Sequence, residues 1–213
     1  MTFMTLRRSL LGLLLAVAAG VVHAQSYVEF FRAIDVDNAR AVTDLLARGF
    51  DPNTRDEQGQ HPLFLALRAE SDRVTRVLIE HPGTGIDQTN ALGEPPLMMA
   101  ALRGREEWVA RLIERGARVN RDGWTALHYA ASGPTLAVIK QLLDRGAELN
   151  ARAPNGSTPL MVGAQHGSEE AVMRLLEAGA DARLRDARGR SAADLARGVG
   201  RERLAERLDQ ASR

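Results

Sequence analysis

Six apolar doublets recur at nearly even intervals: Leu45-Leu46, Leu78-Ile79, Leu112-Ile113, Leu142-Leu143, Leu175-Leu176 and a degenerate Leu208-Asp209. Successive spacings are 33, 34, 30, 33 and 33 residues. Fifteen residues before each doublet stands another core position, occupied by Phe30, Leu63, Leu97, Leu127, Leu160 and Ala193. A constant offset in six copies marks an internal repeat with two buried stripes per unit.

The polar positions between these stripes predict the elements. Gly59, Gly93, Gly123, Gly156 and Gly189 lie four residues before the core position, where a tight turn needs positive φ. Pro62, Pro96 and Pro159 directly precede it, as suits the first residue of a helix. Thr125, Thr158 and Ser191 stand one residue earlier, where a side-chain oxygen caps that helix. Eight residues after the core position come Asn38, Ser71, Thr135 and Ser168, caps for a second helix. Glu106-Glu107 and Glu169-Glu170 then fall in its first turn, where the helix dipole favours them. Arg48-Gly49, Arg115-Gly116 and Arg145-Gly146 end it with a cation and a glycine. Each unit therefore reads as turn, helix, turn, helix, turn.

This period resembles the ankyrin repeat, as do the fragments Thr158-Pro159-Leu160 and Thr125-Ala126-Leu127-His128. Asp144-Arg145-Gly146-Ala147-Glu148-Leu149-Asn150 and Glu177-Ala178-Gly179-Ala180-Asp181 fit the same pattern. The resemblance covers about residues 26–213. It implies an all-α solenoid of stacked helix pairs with hairpin loops projecting from one side. It also implies a loop-bracing hydrogen bond from His128. One helix pair cannot bury its apolar face alone, so neighbours must cover it and the end units must differ. The first unit lacks the Gly and Pro signals, and the last replaces its core leucine with Ala193. Four central repeats and two capping repeats are expected. Two loops break the period. The segment after Ile79, His81 to Gly85, holds an extra residue, and the loop from Arg115 to Trp124 is three residues short.

The first segment follows different rules. Arg7-Arg8 precedes an apolar run from Leu10 to Val22, which is shorter than the roughly 20 residues of a membrane span. The run ends at Val22-His23-Ala24, the form of a secretory signal cut after Ala24. Residues 1–24 are thus expected to be a cleaved leader and 25–213 the repeat domain. The general secretory route fits the flanks; Arg7-Arg8-Ser9-Leu10-Leu11 also resembles a twin-arginine signal. A short leader and an arginine-rich chain point to a bacterial periplasm. Lys140 is the sole lysine, and we read that bias as coding preference.

Composition removes several chemistries. With no cysteine, there are no disulfides, thiolate metal sites or thiol nucleophiles. Formal charge is +1 and becomes −1 once Arg7 and Arg8 are lost, so no basic surplus invites nucleic acid. The acid-interleaved segment Arg197 to Arg213 is the nearest approach to a membrane-binding helix and reads as a solvated cap. No H-E-x-x-H, G-x-S-x-G or phosphate-loop motif occurs. No enzyme activity, metal or cofactor is expected. His61 takes a capping slot that Thr fills elsewhere, and His81 a helix end.

What remains is a surface. The resemblance implies binding of another protein through hairpin tips and the inner face of the first helices. The variable tip positions are Gln58 and Gln60, Leu92 and Glu94, Arg121 and Trp124, Asn155 and Ser157, and Arg188 and Arg190. Those of the inner face are Arg68, Leu102, Arg103, Gln165 and His166. Trp124 stands out, because Trp and Arg dominate interface hot spots; it could equally fold over the shortened hairpin. Trp108 reads as packing. Scaffold, inhibitor and stabilising accessory all fit such a module. A self-associating envelope protein is the alternative.

Overall fold

The structure is a computed structural model that describes residues 24–213. The expected leader therefore lies outside the described residues, apart from Ala24. Helix α1 covers 24–35, and α2 is Ala39–Ala47. Then follow α3 (Pro62–Arg68), α4 (Asp72–Glu80), α5 (Pro96–Leu102), α6 (Glu106–Glu114), α7 (Ala126–Ser132) and α8 (Leu136–Asp144). The last four are α9 (Pro159–His166), α10 (Glu169–Glu177), α11 (Ala192–Gly198) and α12 (Glu202–Ala211). Each odd helix pairs with the even helix that follows. Odd helices α3 to α11 pack side by side as an inner layer, and even helices form the outer layer.

The repeated core positions all go inside. Phe30, Leu63, Leu97, Leu127, Leu160 and Ala193 are buried, as are Leu45, Leu78, Leu112, Leu142, Leu175 and Leu208. The second doublet member is half-exposed from Ile113 onward, because it sits on the rim of the outer helices. The punctuation also performs as expected. Pro62, Pro96 and Pro159 open their helices, and Gly59, Gly93, Gly123, Gly156 and Gly189 have φ of 72, 80, 82, 77 and 76°. A side chain at those φ values would be strained.

The second-helix caps divide. Asn38 and Ser168 accept the Ala41 and Ala171 amides at 3.2 and 3.0 Å. Ser71 sends its hydroxyl elsewhere, donating to the Ile34 carbonyl of the preceding unit at 2.6 Å. Thr135 makes no cap either, and its hydroxyl is buried without a partner. The arginines at the second-helix ends are C-caps, one place beyond the last turn.

Polar bonds between units run about one period apart. Asp72 of α4 accepts the Trp108 indole N–H at 2.8 Å and also binds Arg105, so Trp108 is a packed bridge between units. Asp72 is held below the usual carboxylate range: burial works to raise it, but the bonds from Trp108 and Arg105 prevail. Arg201 reaches the carbonyls of Gly163, Ala164 and Gly167 at 3.3, 3.0 and 2.9 Å, closing the end of the preceding first helix. Gly167 itself lies so near the Ala131 carbonyl that a Cβ would come within 2.0 Å of it. Among the described residues no helix is long and apolar enough to cross a membrane.

Candidate functional site

The hairpins share one closing bond. Asp56, Asn90, Ala153 and Asp186 donate backbone N–H to the carbonyls of Gln60, Glu94, Ser157 and Arg190, at 2.9 to 3.1 Å. Three of these openers add a side-chain brace. Asp56 Oδ1 accepts the Gln58 and Gln60 amides, Asn90 Oδ1 those of Leu92 and Glu94, and Asp186 Oδ1 those of Arg188 and Arg190.

Three residues before Asp56, Asn90 and Ala153 lies a second position, which ties one loop to the next. Asn53 donates to the Gly83 carbonyl at 2.8 Å and accepts the Gly85 amide at 2.7 Å, clasping the loop with the extra residue. Asp87 accepts the Arg118 amide at 3.2 Å, and Asn150 accepts the Asp181 amide at 3.0 Å.

The shortened third hairpin merges the two positions into one. Asn120 lies seven residues before Leu127, where the openers stand, and eight after Leu112, as Asn53 and Asn150 stand after Leu45 and Leu142. It keeps the tie, donating to the Gly146 carbonyl and accepting the Glu148 amide, both at 2.8 Å. The closing bond from Asn120 to Trp124 has no counterpart among the described backbone bonds. Trp124, released from a closed hairpin, leans edge-on against His128 at 5.2 Å and Tyr129 at 6.3 Å. It stays 37% exposed. Trp124 thus lies against the first turns of α7 and leaves the rest of its side chain to solvent; among the described residues, no contact with its own hairpin is seen.

The other tip positions divide. Gln58 and Asn155 are exposed, and Leu92 is 79% exposed. Arg121, Gln60 and Glu94 are half-buried, and Gln60 Oε1 is buried without a partner. Arg190 is half-buried and paired with Asp186 at 2.7 Å. Burial works to raise the Asp186 carboxyl, yet bonds from Arg190 and Arg188 hold it low. Ser157 corrects the expectation from sequence. It is buried, and its carbonyl also faces His128 Nε2, so its side chain is not displayed at a tip. On the inner face Arg68, Arg103 and His166 are exposed, Gln165 and Leu102 are half-buried, and Arg103 pairs with Glu70 at 3.7 Å.

The two buried histidines brace loops. His128 Nδ1 accepts the Thr125 amide at 3.1 Å, which leaves the proton on Nε2 to bond the Ser157 carbonyl at 3.1 Å. Burial lowers its pKa, opposed by the Ser157 and Ala151 backbone. His61 caps nothing; its Nε2 meets Asn53 Oδ1 at 3.1 Å, and its Nδ1 is buried without a partner. Burial, then Arg55, pushes it down to about 4, against an opposing pull from Asp51. Both rings are spent on loop geometry.

The outer layer carries a groove of about 560 Å³ between α8 and α10, floored by Leu136, Ala137 and Met173. Lys140, Arg174, Arg207, Glu169, Glu170 and Glu177 rim it with both signs of charge. Among the described residues no group of three or more His, Asp or Glu side chains could hold a metal ion.

Helix pairs stacked one per period, with hairpins along one edge, define an ankyrin-type solenoid. The family model "Ankyrin repeats (3 copies)" matches residues 30–122, 82–153, 116–186 and 132–208, and the chain belongs to the ankyrin-repeat family. Repeats of this family are protein–protein interaction modules. Similar curated proteins include the ankyrin repeat and SAM domain-containing protein 6 of Rattus norvegicus, 34% identical over 111 residues. That match covers 50% of this chain and 12% of the relative. The tyrosine-protein kinase Shark of Drosophila melanogaster is 32% identical over 76% of this chain and 18% of its own length. The NF-kappa-B p105 subunit of Gallus gallus is 30% identical over 70% of this chain and 16% of its own. The chain therefore spans less than a fifth of each of these relatives. Among solved structures, a similar fold occurs in the complex of the predatory endopeptidase Bd0816 from Bdellovibrio bacteriovorus with immunity protein Bd3460. The TM-score is 0.73 at 23% identity, over 85% of this chain and 97% of that one. At that identity the likeness shows the fold alone.

Proposed function

We propose that the protein is a non-enzymatic module that binds a partner protein across its hairpin tips and the inner face of its first helices. It works in the bacterial periplasm after its leader is removed, as scaffold, inhibitor or stabilising accessory. The observation that carries this reading is the shortened hairpin. It leaves a half-exposed Trp124 beside a tip at which Leu92 is 79% exposed. Large apolar side chains grouped on a loop edge are what an interface core uses. A chain of the same fold takes part in the endopeptidase–immunity protein complex, and binding of a second protein is what we carry over from it.

A photoreactive side chain in place of Leu92 tests the reading, with one in place of Arg73 on α4 as the outer-face control. The expected result is one discrete adduct from the tip and none from the control. Equal labelling from both faces, or none from the tip, contradicts it. An adduct of twice the chain mass marks self-association instead. N-terminal sequencing of exported protein should begin at Gln25; a chain beginning at Met1 contradicts the export claim.

A further inference from the structure

Glu94 stands at the same hairpin position as Gln60, Trp124, Ser157 and Arg190. Arg190 is neutralised by Asp186. Among the described residues, Glu94 has no cation within ion-pair distance. Its carboxylate is nevertheless fixed in place. Oε1 accepts the Tyr129 hydroxyl, and Oε2 accepts Asn90 Nδ2 at 2.7 Å. A carboxylate has about four lone-pair sites, so each oxygen keeps one acceptor free. Burial, with the bond and charge of Glu94, raises the Tyr129 phenol, which therefore stays a donor at any physiological pH.

Tyr129 links this carboxylate to an aromatic corner. The Trp124 and Tyr129 rings lie 6.3 Å apart with planes 77° from parallel, and Trp124 is 37% exposed. The arginines of the neighbouring loops are engaged elsewhere or make no bond to Glu94. Arg103 is held by Glu70 and Arg118 by Asp87, and the half-buried Arg121 makes no bond to Glu94.

We propose that the Glu94–Tyr129–Trp124 corner receives the guanidinium of an arginine on the partner protein, its fork on the two Glu94 oxygens and its plane on Trp124. This rests on the protein-binding reading above. Three features select arginine. The two free acceptors match a bidentate donor. A planar cation stacks on an aromatic face. The unpaired charge of Glu94 calls for a cation. Lysine, a compact point charge, uses only part of this arrangement.

The test titrates the isotope-labelled protein with acetyl-Ala-Arg-Ala-amide and its lysine and citrulline counterparts, following the indole N–H resonances of both tryptophans. Citrulline keeps the shape of arginine without its charge. The arginine peptide should shift the Trp124 signal saturably and leave Trp108 unmoved. Citrulline should bind about tenfold more weakly or worse, and Glu94→Gln should cost the same. Trp124→Leu, which spares the carboxylate, supplies a second variant with the same expected loss, read from the Glu94 backbone amide resonance because its indole is gone, and unfolding midpoints confirm that both fold. No saturable shift, an equal response to citrulline, or lysine as tight as arginine overturns the proposal. The two readings fail differently. If the Leu92 probe captures a partner equally from the native and Glu94→Gln proteins, arginine docking fails and protein binding stands. If the peptide binds as expected but the probe captures nothing, the corner stands and the broader reading fails.

Discussion

The second and third hairpins are neighbours built from one template, and four residues of loop length separate their behaviour. In the second, Asp87 ties to the next loop while Asn90 braces the turn. In the third, Asn120 does the tying alone and the brace is lost. The stack tolerates the loss because its stability comes from buried columns such as Leu97 and Leu127. An aromatic residue is then free to turn toward its own helix and toward solvent. Loop chemistry can change here without disturbing the fold, which is what a binding edge requires.

The largest expected effect lies beneath both hairpins. Leu142→Ala empties a fully buried site and should cost about 2–5 kcal/mol in denaturant unfolding. A near-zero change would refute the repeat register. Next comes the intact clasp that Asn120 imitates. Asn53→Ala removes bonds to Gly83, Gly85, His61 and Asp51, and about 4 kcal/mol should be lost at roughly 1 kcal/mol per bond. Asn120→Ala breaks two such bonds and should cost about 2 kcal/mol. If it cost as little as an ordinary surface change, the third hairpin would not be tied at all.

Acid should probe the second unit in particular. Unfolded His61 takes up a proton near its ordinary 6.5, but folded His61 does so only near 4. The unfolded chain binds more protons across that window, so stability falls as pH drops from 6.5 toward 4. By pH 5 about 2 kcal/mol should be gone. His128 pulls in the same direction. His61→Thr, the residue other units place there, should flatten the profile between pH 7 and 5 without eliminating it. An unchanged slope would mean that His61 is not held neutral.

Most of the architecture was legible because it depends on residue types that physics restricts. Positive φ at five hairpins needs glycine, helix starts favour proline, and buried columns need apolar side chains, so each left a mark at a fixed period. The site was less legible, because its contacts join residues about one unit apart whose types are free to vary. Nothing in the order of residues says that Ser71 bonds Ile34 in place of its own helix, or that Tyr129 reaches Glu94. Ser157 read as a tip residue because its position was variable. Its burial follows from the fourth hairpin closing beside His128, which the spacing alone did not reveal. The merging of two loop positions in Asn120 was available in the count of missing residues. It gained meaning only when the neighbouring hairpins showed what each position does.

The smallest expected change in stability accompanies the largest expected change in binding. Trp124 makes two edge contacts and no hydrogen bond and is 37% exposed, so Trp124→Ala should lower the unfolding free energy by about 1–2 kcal/mol. A hot-spot tryptophan should cost the complex at least about 2 kcal/mol, roughly thirtyfold in affinity. The direct test is to measure both in one preparation, thermal unfolding and affinity for the partner captured from Leu92. Affinity lost with a midpoint lowered by only a few degrees supports function at the tips. A midpoint lowered by about ten degrees or more, or affinity retained, makes Trp124 a structural residue and contradicts the account.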